Sequence, residues 1–121
     1  MKATKQVHVL GAVYTIYECK RGEDETVDAN FDAGESDAYT DFTTRDIILE
    51  EIEPSPGNVA DLEAYRSHRL RHELVHAFLH ESGLSGCASG SECWPRNEEM
   101  VDWFAIQAPK IFKTFKEAGC L

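Results

Sequence analysis

Apolar stretches in this chain of 121 residues are short, and none approaches the length of a membrane span. The opening residues, Met1-Lys2-Ala3-Thr4-Lys5-Gln6, hold no apolar segment of the kind that directs secretion. A cytoplasmic location and no membrane partner are therefore expected. Positive charge is scarce too: 12 Lys and Arg face 22 Asp and Glu, for a formal net charge of −10. Between Glu23 and Glu63 fourteen carboxylates are opposed by Arg45 alone. Such a surface repels phosphates, which excludes nucleic-acid binding through this half. A solvated acidic face explains the bias; a preference for basic protein partners or substrates is the sharper alternative. Cysteine is limited to Cys19, Cys87, Cys93 and Cys120, and thiols in a chain without a secretory signal stay reduced. Cys87 and Cys93 bracket the loop Ala88-Ser89-Gly90-Ser91-Glu92 and could approach each other, but two cysteines fall short of a structural zinc site. Reduced loop thiols are expected there, with a disulfide as the alternative.

What is present reads as one globular domain over residues 1–121, with 42% hydrophobic and 10% aromatic residues and no internal repeat. Residues 7–17 are β-branched and aromatic, giving either one strand broken at Gly11 or a tight hairpin around it. Residues 21–37, polar and acidic, read as a loop. Residues 38–42 form a short strand and residues 43–52, with Ile47-Ile48-Leu49 and Ile52, a strand that is apolar on both faces. Pro54-Ser55-Pro56-Gly57 closes this strand-rich part, residues 1–53. Asn58 is the expected N-cap of a helix over about residues 59–82 ending at Gly83, with Leu62, Leu70, Leu74, Ala77 and Phe78 buried. After a loop to Trp94, Val101, Phe104, Ala105, Ala108, Ile111, Phe112 and Phe115 mark the apolar stripe of a second helix, residues 97–117, which Pro109 should kink or interrupt. The fold class is α+β: three or four mostly antiparallel strands packed on two main helices.

The chemistry lies in His72-Glu73-Leu74-Val75-His76, which fits the metallopeptidase pattern His-Glu-x-x-His. Residues four apart share a helix face, so His72 and His76 can turn imidazole nitrogens to one metal ion. Glu73 lies beside that face, where it can act as general base toward a zinc-activated water rather than bind the metal. A catalytic zinc needs a third protein ligand. His80 is eight residues from His72, about 12 Å along a helix, whereas zinc–nitrogen bonds are about 2 Å. Leu79 occupies the position where a metzincin has the Gly that breaks the helix, and Ser82 stands at residue 82, so that arrangement is excluded. On the second helix Glu98 and Asp102 share a face beside the apolar stripe, while Glu99 points about 100° away. Glu98 is therefore the expected third ligand, and Asp102 the acceptor that orients a ligand histidine. The plainer readings are a first-turn carboxylate for Glu98 and a solvent-facing one for Asp102. His68 and His80 read as partly exposed helix residues or cleft liners, and Trp94 and Trp103 as core or cleft wall.

A helix with His-Glu-x-x-His followed by one with Glu-x-x-x-Asp resembles the gluzincin arrangement seen in thermolysin. A closer resemblance is to the small ImmA/IrrE-type metallopeptidases of bacteria, phages and mobile elements. It rests on Glu98-Glu99-Met100-Val101-Asp102-Trp103-Phe104-Ala105 followed by Pro109, with Val101 where that family usually has Ala, and Gln107-Ala108 in place of its Leu-rich run. The likeness covers the two helices, roughly the C-terminal half. It implies a minimal zincin-like fold, one catalytic Zn2+, and a zinc-dependent metallopeptidase that hydrolyses peptide bonds in a protein or peptide substrate. A regulatory protein partner could accompany it. Zincins resemble one another in binding substrate by strand addition, and the strand with Ile47-Ile48-Leu49 is the expected receiving edge. Tyr39, Tyr65, His68 and His80 are the candidates to stabilise an oxyanion. The alternative functions are a non-catalytic zinc-bound protein-interaction module and a helical protein without metal.

Overall fold

The computed structural model describes residues 1–90 and 92–121. Ser91, in the loop between Cys87 and Cys93, lies outside the described residues. Strands β1 (Lys2–Val9) and β2 (Ala12–Cys19) form a hairpin, so Gly11 marks a turn and not a break in one strand. Leu10 and Gly11 both take positive φ, 48° and 85°, as the twist of a two-residue hairpin turn demands. Helix α1 (Glu25–Gly34) follows, then β3 (Ala38–Asp41) and β4 (Asp46–Glu50). Helix α2 (Leu62–Glu81), the one-turn helix α3 (Leu84–Cys87), a 3-10 turn at Trp94–Arg96 and helix α4 (Glu98–Glu117) complete the described residues.

The sheet order is β1-β2-β4-β3. β1 pairs with β2 and β3 with β4 antiparallel, but β2 pairs with β4 in parallel, so the sheet is mixed. Parallel neighbours need a crossover, and α1 with β3 supplies it. The alternation of strand side chains then builds two cores. Tyr14, Ile16, Ala38, Ile47 and Leu49 pack toward α2, around Ala77 with Leu70 and Leu74. Cys19 and Ile48 pack on the other face against Val27 and Phe31 of α1. The β4 sequence is thus apolar on both faces because helices cover both.

Several expectations change. The acidic stretch 21–37 is not a loop throughout: Asp24 caps α1 by accepting the backbone N–H groups of Thr26 and Val27, at 2.9 and 3.1 Å. Val27 and Phe31, four apart, supply its buried face. The N-cap of α2 is Asp61, which accepts from Ala64 N at 2.9 Å, and not Asn58, whose amide instead bonds Glu53 O and Ser55 Oγ. Phe78 is exposed, as are Trp94 and Trp103, and so are Phe112 and Phe115 at the far end of the predicted stripe. All four cysteines are free thiols.

Pro109 neither ends nor interrupts α4, which runs on through it to Glu117. A proline at 109 deprives the Ala105 carbonyl of its helical donor. Arg71 of α2 replaces that donor, its Nε bonding Ala105 O at 2.6 Å. The exception to the helix rule therefore becomes a tie between the two long helices.

Candidate metal centre

Helix α2 is fixed to the sheet at two points. The buried Arg69 donates to the carbonyls of Asp37 (2.7 Å) and Glu50 (3.1 Å), over the ring of Tyr65, whose hydroxyl bonds Asp37 Oδ2 at 2.7 Å. At the far end Glu81 Oε1 accepts from Tyr14 Oη at 2.8 Å and Arg45 Nε at 3.0 Å. Both donors hold the Glu81 carboxyl below its usual range, Tyr14 foremost. Arg69, Glu73 and Ala77, spaced by four, are the buried face against the sheet. His68, His72 and His76 lie one residue round, toward α4.

Helix α4 is capped by Asn97, which accepts from Met100 N at 2.8 Å, and buries Val101, Ala105 and Ala108. This places Glu98 in its first turn, opposite the histidines. Nε2 of His72 and Nε2 of His76 are 3.1 Å apart, and Glu98 Oε2 lies 2.9 Å from the first and 3.0 Å from the second. His72, His76 and Glu98 thus form a group that could hold a metal ion. Asp102 Oδ1 sits 3.0 Å from His72 Nδ1 and 2.8 Å from His68 Nε2. A carboxylate only accepts, so His72 Nδ1 and His68 Nε2 carry the hydrogens shared with Asp102. In the neutral form of His72 that tautomer leaves the Nε2 lone pair for a cation at the centre of the group.

The electrostatics favour a cation. Burial opposes charge on His72, yet Asp102, Glu73 and Glu98 outweigh it and hold the imidazole more basic than usual. Burial likewise opposes charge on Asp102, but its bonds to His72 and His68 prevail and lower its titration range. Glu73 stands outside the triangle, with Oε2 accepting from Thr40 Oγ1 at 2.7 Å.

A cleft of about 780 Å³ opens over this group. β3 and Phe42 form one wall; Ser85, Gly86, Pro95 and Arg96 form the other. β4, the expected peptide-receiving edge, is an interior strand between β2 and β3. The free edge beside the cleft is β3. Of the four candidate oxyanion donors, Tyr65 is engaged with Asp37 and His68 with Asp102. Tyr39 packs edge-on against Phe31, on the α1 face. His80 lines the cleft, stacked on Phe42 at 4.4 Å between ring centres. Sequence reasoning missed Thr40, Arg71 and the part of His68 in holding Asp102. Only His68 carried a signal, its place four residues before His72.

The chain matches no protein family, no curated protein and no solved structure with which it was compared. Among the described residues no helix is long and apolar enough to cross a membrane.

Proposed function

We propose that this chain is a metal-dependent hydrolase. More particularly, it is a zinc peptidase of gluzincin type, similar to the ImmA/IrrE metallopeptidases in its two metal-facing helices. The observation that carries this reading is the triangle of His72 Nε2, His76 Nε2 and Glu98 Oε2, with sides of 2.9 to 3.1 Å. Four ligands around zinc at about 2.0–2.2 Å stand roughly 3.3 Å from one another. Three donors already near that spacing fit one ion with little movement. Two nitrogens and one oxygen, with a vertex open to the cleft, are also a donor set that catalytic zinc uses.

Bound there, zinc would act as a Lewis acid toward a water and a substrate carbonyl. The chain's own groups do the rest. Glu73 removes the proton from the attacking water and delivers it to the leaving amine. Asp102 keeps His72 in the tautomer that faces the ion. The free edge of β3 offers backbone N–H and C=O groups to an extended peptide, and His80, which lines the cleft, is the candidate to meet the developing oxyanion.

Protein purified without added metal should contain about one zinc per chain by elemental analysis. A value near zero sinks the reading. Glu73→Gln should keep the zinc and lower peptide hydrolysis at least roughly a hundredfold. Undiminished turnover by that variant would refute Glu73 as the base, whereas zinc bound with no hydrolysis by the unsubstituted protein would leave the interaction module.

A further inference from the structure

Glu73 is only 7% exposed, and a carboxylate so placed needs hydrogen-bond donors. Thr40 supplies one across 2.7 Å, from β3, which lines the same cleft. We propose that Thr40 is a positioning residue for Glu73, aiming the base from the free edge of the sheet. This rests on the peptidase reading above.

Thr40 pairs with Ile47 of β4 on one side, and among the described residues β3 has no strand partner on the other. Strand alternation puts its side chain on the same face as Ala38, which packs in the core beneath α2. Because a carboxylate cannot donate, the threonine hydroxyl must. That bond occupies Oε2 and leaves Oε1 as the oxygen that takes a proton. It also fixes the last torsion of Glu73, which is otherwise broad and twofold. The β-branch of threonine is stiff, so the hydroxyl is held as firmly as the strand that carries it. A peptide laid along β3 then steadies the same strand that aims the base. Substrate binding and base orientation share one structural element.

Acetohydroxamate is a suitable probe, because it chelates a catalytic zinc and passes its hydroxyl proton to a neighbouring base. Its affinity for zinc-loaded protein can be measured by calorimetry alongside zinc affinity. Thr40→Val should weaken acetohydroxamate roughly tenfold, as Glu73→Gln does, with zinc affinity unchanged. Thr40→Ser should restore binding to within about threefold of the unsubstituted protein. Unaltered acetohydroxamate affinity in Thr40→Val, against a fall in Glu73→Gln, overturns the proposal and leaves the peptidase reading standing. Loss of zinc together with the hydroxamate in Thr40→Val also overturns it, since that marks a general structural role. If the unsubstituted protein takes up neither zinc nor hydroxamate, the reading above fails and takes this inference with it.

Discussion

Glu98 and Glu99 are adjacent and chemically identical, yet a rotation of about 100° separates their fates. Glu98 Oε2 meets both His72 and His76, whereas Glu99 is not part of the group that could hold a metal ion. Glu98→Ala should therefore weaken zinc binding by roughly a hundredfold or more, and Glu99→Ala by less than about threefold, in competition with a chelating dye. A larger loss from Glu99→Ala would disprove the ligand assignment. His72, Glu73, His76, Glu98 and Asp102 were legible because each sits on a long helix whose period fixes its direction. Thr40 was not. It lies 33 positions from Glu73, and nothing local in Ala38-Tyr39-Thr40-Asp41 marks one hydroxyl for a partner on another element. His68 was visible only as part of a four-residue spacing, since the acceptor that gives it a purpose is on α4.

Between elements, the join of α2 to α4 decides whether the site assembles at all. Arg71→Met removes the donor to Ala105 O and should destabilise the fold by about 1–3 kcal/mol in urea unfolding. Pro109→Ala returns a backbone N–H to that carbonyl, so the same Arg71→Met change should cost at least about 0.5 kcal/mol less in the alanine background. Simple additivity of the two substitutions would show that the proline and the arginine are not coupled. The helix pattern around Pro109 was readable; its rescue was not, because the substitute donor comes from 38 residues earlier in the chain. The segment holding α1 misled for a different reason. Its acidic composition hid a short helix that needs only one cap and two buried side chains, Val27 and Phe31. The peptide-receiving edge was placed on β4 because hydrophobicity singles out Ile47-Ile48-Leu49. Hydrophobicity on both faces is the property of an interior strand, and the more polar β3 is the one left at the rim.

For the molecule as a whole, metal and fold are expected to be one equilibrium. The three candidate ligands come from two helices, so an ion that joined them would favour the folded state over the unfolded one. Zinc at about a hundred times its dissociation constant should add roughly 2.7 kcal/mol, which for a chain of this size raises Tm by about 10 °C. Calorimetry with excess zinc and with a chelator checks this; equal midpoints would mean that no ion is held by the folded protein. The sign of the pH effect follows from His72. Its folded-state basicity is raised in the metal-free protein, so protons compete with the ion increasingly as pH falls through that raised range. The shift from chelator to zinc should then shrink in acid.

The strand order has a consequence in time as well as in space. β1 and β2 are neighbours in sequence and can close early, as local hairpins do. β3 emerges from the ribosome before β4, yet it reaches the sheet only through β4, which must settle between β2 and β3. The rim that would accept a peptide is thus absent until the chain has passed Glu50, and the histidines and Glu98 come later still. A nascent chain therefore lacks the assembled group: β3 reaches the sheet only after β4, and His72, His76 and Glu98 can meet only once both α2 and α4 have been made.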